Sequence, residues 1–267
     1  MIRSALLASL LFLIGPAAEA AGEERPERRS FSATDVCGLA GSQDGCQGLE
    51  ALVRRARESV PQGEDPARTL ALLNRFFFEE EGFRSGGPAS WSSLLPEEVI
   101  ARREGNCVGL AALYLIVAHD LHLPIHAVAT PRHVFVRWDD ERFRRNIELL
   151  EGGREISDAD YVAEEEISGA SLRNGVFMAN LGWREFLGVV HQNLGVQSSQ
   201  RGDFQGAGRH YRRALRLNPR LPAAYYNLGN DYLAQGRCGP ATRSYTRALE
   251  LDPSDSGALR NRALARR

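Results

Sequence analysis

The chain has 267 residues, room for two modest domains, and its 43% hydrophobic and 25% charged content is that of an ordinary globular protein. A formal net charge of -1 gives no overall pull toward nucleic acid or an anionic membrane. All 33 basic residues are arginine, so the chain offers no lysine amine as an acyl acceptor and could not crosslink itself through one.

Residues 1–20 read as a secretory signal. Arg3 supplies a positive start, Ala5 to Ile14 form a short apolar run, and Ala18-Glu19-Ala20 fits small-x-small cleavage. An uncleaved interfacial anchor is the alternative. No other stretch is apolar enough to span a bilayer, so the expectation is an exported protein, periplasmic or secreted, with no stable membrane insertion after cleavage. Residues 21–48 then read as a polar linker. Cys37 and Cys46 flank a turn-prone loop and suit a local disulfide in an oxidising compartment. Cys107 and Cys238 are left over, as buried thiols, as a pair, or as thiols with a use.

From Gln47 to Ser59, Leu49, Leu52, Val53 and Ala56 recur at helical spacing. Pro61-Gln62-Gly63 breaks that helix, and Asp65-Pro66 starts another, with Asp65 as N-cap and Pro66 in the first turn. Leu95-Pro96-Glu97-Glu98 opens a further short helix. Asn106 caps the next, Cys107 to about Leu121, whose apolar residues run nearly all the way round, so it is expected to be buried. Three β-type runs follow: Ile125 to Ala129, His133 to Trp138 and Asn146 to Leu150. Alternation places His133, Phe135 and Arg137 on one face of the second.

From Gly188 a 34-residue period sets in. It aligns Leu194 with Leu228, Gly195 with Gly229, Gly202 with Gly236, Ala207 with Ala241, Tyr211 with Tyr245, Ala214 with Ala248 and Pro219 with Pro253. That period and those residue types are those of two tetratricopeptide repeats, 188–255, with 256–267 as a partial third helix. Two such units do not bury their own faces, so they are expected to lean on the preceding domain through Phe177 to Leu187, within a helical connection, 166–187. The repeats point to a protein or peptide partner rather than to nucleic acid.

The chemistry-bearing residues lie between the two regions. A cysteine in the first turn of a helix faces free N–H groups and the positive end of the dipole, which favour thiolate and can stabilise an oxyanion. His133 follows 26 positions after Cys107, and Glu148 a further 15, spacings that suit a helix followed by two neighbouring strands. In that order a nucleophile, a base and an orienting acid are available for acyl transfer. The bland reading is a buried thiol, a structural histidine and a solvated glutamate. Zinc is disfavoured. Cys107, His126 and His133 supply ligand types, but neither CxxC nor HExxH spacing is present. No cofactor is implied.

Arg103-Glu104-Gly105-Asn106-Cys107, Leu123-Pro124, Pro131-Arg132-His133-Val134-Phe135-Val136-Arg137 and Asn146-Ile147-Glu148 together resemble the bacterial transglutaminase-like superfamily. Leu73-Asn74-Arg75-Phe76-Phe77 and Glu81-Gly82-Phe83 are similar to the helical lead-in of one of its branches. The resemblance covers about 49–165 and implies an α+β, papain-like core, with helices packed on a small antiparallel sheet, ahead of the α-helical repeats. It implies Cys107 as nucleophile, His133 as base and Glu148 as orienting acid. The wider superfamily carries aspartate at the third position, and many members of this branch lack the cysteine. Two functions are therefore expected to compete: an exported cysteine-dependent acyl-transfer enzyme, and an inactive scaffold that works as an interaction module.

Overall fold

The apolar helix around which the chain folds starts on a side-chain cap. In the computed structural model, which describes residues 43–87 and 93–267, Asn106 Oδ1 accepts from Val108 N at 3.0 Å and Gly109 N at 2.9 Å. The helix runs Cys107–Asp120 and every residue from Val108 to Ala118 is buried. Its apolar residues surround the axis, so tertiary packing rather than an amphipathic stripe holds it. The signal reading of 1–20 and the Cys37–Cys46 disulfide lie outside the described residues.

We number the helices and strands in chain order. Helix α1 is Gln43–Ser59, so it begins inside the stretch expected to be linker. Helix α2 is Pro66–Asn74, capped by Asp65, and it passes into a π turn at Arg75–Glu80 that the spacing did not foreshadow. Strand β1 is Arg84–Ser85, α3 is Pro96–Arg102, β2 is Glu104–Gly105, and the buried central helix is α4. Then follow β3 (Ile125–Ala129), β4 (Val134–Asp139), β5 (Arg144–Glu148), β6 (Arg154–Glu155), α5 (Asp158–Glu164), α6 (Gly169–Arg173) and β7 (Asn180–Leu181). The repeat helices are α7 (Trp183–Gln200), α8 (Phe204–Leu217), α9 (Pro222–Ala234), α10 (Cys238–Leu251) and α11 (Ser256–Ala265).

The five-stranded sheet is antiparallel throughout, in the order β6-β5-β4-β3-β7. Its last strand comes from the segment expected to be a helical connection. Two residues, Asn180 and Leu181, pair with Val128 and Ala127, too short a run to show a period of two. One face of the sheet, with Val134, Val136, Trp138 and Ile147, packs with α4 in the main core. The other is covered by α5: Phe135 stacks on Tyr161 with ring centroids 3.9 Å apart and planes 5° from parallel. Because both faces are covered, Arg137 is only 1% exposed despite its charge. It is satisfied by Asn146 Oδ1 at 2.7 Å, Asp158 Oδ1 at 2.6 Å and the Met178 carbonyl at 2.9 Å.

The repeats share the main core. Phe186, Val189, Val190, Ala214, Leu221 and Ala224 are buried in one cluster with Leu110 and Leu113 of α4. Farther along, Ser171 Oγ donates to Asp252 Oδ1 at 2.5 Å and Asn174 Nδ2 to the Leu251 carbonyl at 3.1 Å. Within each repeat a glycine lets two helices meet. A Cβ on Gly195 would lie 2.4 Å from the Tyr211 ring, and one on Gly229 would lie 2.6 Å from Tyr245.

Candidate functional site

Three elements bring the site together: the first turn of α4, the start of β4 and the end of β5. His133 sits one residue before β4 and Glu148 is the last residue of β5. In the β4–β5 register Val136 faces Ile147 and Arg137 faces Asn146. His133 and Glu148 therefore fall on the same side of the sheet, the side that carries Phe135.

The three sequence-nominated side chains meet. His133 Nε2 lies 2.7 Å from Glu148 Oε2. The Cys107 side chain hydrogen-bonds His133. Since Glu148 takes Nε2, Nδ1 is the ring nitrogen left for the thiol. Side-chain exposure is 16% for His133 and 5% for Glu148, while Cys107 is half-buried and free of any disulfide. Cys238 is also free and is exposed in the repeats. Glutamate in place of aspartate does not break the contact, because Glu148 reaches the ring from a strand end.

Two further groups hold the carboxylate. Tyr161 OH donates to Glu148 Oε2 at 2.7 Å, and Leu150 N donates to Oε1 at 2.9 Å. Tyr161 is the residue that sequence reasoning missed. It sits in a stretch, DADYVAEEE, that shows only a capped polar helix. Its one sequence signal is an aromatic among acids, and that does not say which strand it will cover.

Electrostatics follow from this packing. Burial disfavours the His133 imidazolium, but the hydrogen bonds to Cys107 and Glu148 and their charges outweigh it, and its pKa is pushed up to about 10. Burial alone would raise the Glu148 carboxyl. The His133 bond and charge, with the Tyr161 and Leu150 donors, instead hold it below the usual range. The Tyr161 phenol is pushed up, by burial and by the adjacent Glu148 charge, so it stays a donor.

The helix start differs from expectation in one respect. Val108 and Gly109 N–H are spent on the Asn106 cap, and Leu110 N on the Asn106 carbonyl at 3.0 Å. Of the four N–H groups in this first turn, that leaves Cys107 N–H for an oxyanion. Gly109 matters for a separate reason. A Cβ there would lie 2.5 Å from the Ser93 carbonyl, so only glycine lets residues 93–94 cross the first turn of α4.

Comparison with known proteins agrees with this layout. A family model described as the transglutaminase-like superfamily matches residues 43–176, and one described as a TPR repeat matches residues 199–236. The UPF0162 protein PM0557 of Pasteurella multocida (strain Pm70) is 33% identical over 93 residues, 34% of this chain and 35% of that protein. The UPF0162 protein YchA of Escherichia coli (strain K12) is 33% identical over 98 residues, 36% of each chain. The matched stretch thus spans about a third of these curated relatives. A solved structure of menin, titled for its binding site for the Mixed Lineage Leukemia protein, superposes with a TM-score of 0.43 at 12% identity. That match covers 78% of this chain and 60% of menin, and it is too remote to argue from.

Proposed function

The chain belongs to the transglutaminase-like superfamily, and from that premise we propose that its core is a cysteine-dependent acyl-transfer site whose tetratricopeptide repeats recruit a protein. The observation that carries the reading is the Cys107–His133–Glu148 chain, with 2.7 Å between His133 Nε2 and Glu148 Oε2. In this reading a Cys107 thiolate attacks a carboxamide or peptide carbonyl. A C–S bond forms, the carbonyl electrons move to oxygen, and collapse expels the amine, which takes its proton from the His133 imidazolium. Water or a second amine then attacks the thioester, giving its proton back to His133 as the thiolate departs. Glu148 holds the ring with Nδ1 toward sulfur throughout, as an orienting acid does. Substrate amines must come from outside the chain when the product is a crosslink, since it has no lysine of its own.

Export is part of the proposal. Arg3, the apolar run Ala5 to Ile14 and Ala18-Glu19-Ala20 support it. Among the described residues no helix is long and apolar enough to cross a membrane.

A second reading is favoured by the repeats, which match their family model independently of the cysteine: an inactive core that serves only as an interaction module. Partner capture by the wild type and by Cys107→Ala, together with turnover of a carboxamide substrate, separates the two. Loss of turnover with capture intact supports the enzyme. No turnover by either protein, with equal capture, supports the scaffold.

A further inference from the structure

The two regions carry opposite charge. Residues 43–182 hold 15 arginines against 23 carboxylates, and residues 183–267 hold 14 arginines against 6. Core arginines are largely spent on internal partners, as in Arg55–Glu81, Arg57–Asp120 and Arg137–Asp158. Among the described residues of the repeats the corresponding ion pair is Arg247–Glu250. The near-neutral total conceals a repeat region whose guanidinium groups face outward.

The repeat period runs on into α11 and shows that one of its faces is open. Three rows of positions are aligned: His191, Tyr225 and Leu259; Gly195, Gly229 and Ala263; Val196, Asn230 and Leu264. In the first two units each row meets the second helix of its own unit. His191 Nδ1 lies 3.2 Å from His210 Nδ1 on α8, and Arg247 of α10 lies 6.0 Å above the Tyr225 ring. Gly195 and Gly229 sit beneath Tyr211 and Tyr245. Val196 packs with Ala207 and Tyr211, and Asn230 Oδ1 accepts from Tyr245 OH at 2.8 Å.

In the third unit no described residue fills that place. Leu259 is 44% exposed and Leu264 57%, the exposed large hydrophobics among the described residues, and Ala263 between them is exposed too. The other side of α11 is already docked. Ala258 and Ala265 are buried, and Asn261 Nδ2 donates to Asn230 Oδ1 at 2.9 Å. Around the open leucines stand Arg260, Arg262, Arg266 and Arg267, and α11 itself holds no carboxylate.

We propose that this face receives an acidic amphipathic helix of a partner protein, seated on α11 as α8 sits on α7 and α10 on α9. The apolar stripe of that helix would cover Leu259 and Leu264 over the small Ala263, and its carboxylates would meet the four arginines, whose planar forks suit them. Two α11 faces do not pair with each other, because apposing them brings both sets of four arginines together. The proposal rests on the reading that the repeats recruit a protein and is independent of Cys107 reactivity.

The test uses the full chain and a labelled synthetic helix with leucine at heptad spacing and glutamate elsewhere, read by fluorescence anisotropy. A twin peptide with lysine for glutamate is the control. The glutamate helix binds at least about tenfold tighter than its twin, and added salt narrows the gap. Leu259→Ser with Leu264→Ser weakens it by about tenfold or more, with the melting temperature unchanged because both side chains are exposed. Equal binding of the two peptides, or none of either, overturns the proposal. So does a concentration-dependent dimer that the double variant loses, or tighter binding to phosphatidylglycerol vesicles than to the peptide. Unchanged peptide binding by the double variant overturns this site while leaving recruitment by the repeats standing, since partner capture tests that separately.

Discussion

The core and the repeats solve the same packing problem with opposite means. The core surrounds an apolar helix and covers both faces of its sheet, and it then has to satisfy the polar groups this traps, such as Arg137, Asn146 and Glu148. The repeats bury the carboxylates of Asp231 and Asp252 but, among the described residues, no arginine. They bring helices together by setting glycine under tyrosine and leave their arginines outside. The histidines show the consequence. His133, between Cys107 and Glu148, is pushed up to about 10. His191 is pushed down to about 4 by burial, by His210 and by Arg213 and Arg216, and His210 is lowered too. Burial disfavours the proton on all three rings; nearby arginines add to that at His191 and His210, whereas Cys107 and Glu148 outweigh it at His133.

The largest break in this comparison should come from the core network. Arg137→Leu leaves Asn146 and the Met178 carbonyl without their buried donor, and should cost on the order of 3 kcal/mol, read by urea unfolding. An equal midpoint in the variant would mean the guanidinium contributes nothing to the sheet.

Next in size is the repeat seam. Gly195→Ala places a methyl group against the Tyr211 ring and should destabilise by about 1–3 kcal/mol, with hydrogen-exchange protection lost in α7 and α8. A thermal scan showing no shift would remove the close approach as a constraint.

Acid should separate the two regions further. His191 and His210 have lowered values, so their contribution is complete above the unfolded value near 6.5. For His191 it fades as pH falls from there toward about 4. Glu148 also favours the folded state above its ordinary range and loses that only at lower pH, below 4.5. His133 runs the other way. Its contribution is complete below 6.5 and is lost as pH rises through about 10. Hydrogen exchange at pH 5 should therefore show the α7–α8 pair loosening while β4 and β5 remain protected. Uniform loosening would contradict the contrast between the histidines.

The smallest effect is expected at Tyr161→Phe. It removes one donor to Glu148 and keeps the stack on Phe135, so stability should fall by about 1 kcal/mol. Cys107 alkylation should slow only a few-fold, roughly the weight of one hydrogen bond, because Leu150 N still holds the other carboxylate oxygen. A variant alkylated at the wild-type rate would show that Tyr161 does not position the acid.

Much of this was legible from residue order, and the parts that were not have physical reasons. Asp65, Asn106 and the 34-residue period each act locally, so caps and repeats could be read directly. Cys107, His133 and Glu148 stand in an order that a helix and two neighbouring strands convert into contact. Strand β7 was hidden because two residues carry no period. Tyr161 was hidden because its role depends on where α5 lands. The charge split was hidden by its own sum, since an acidic core and a basic repeat region nearly cancel in the net charge of -1.

The most direct measurement is the alkylation rate of Cys107 by iodoacetamide as a function of pH, followed by mass spectrometry in a Cys238→Ser background. It is made for that parent chain and for His133→Ala and Glu148→Gln built on it. At pH 7 the parent should react at least about tenfold faster than the His133 variant, with the Glu148 variant between them, because His133 is the base that accepts the thiol proton as sulfur attacks. Identical rate–pH profiles for all three proteins would contradict the account and leave Cys107 an ordinary half-buried thiol.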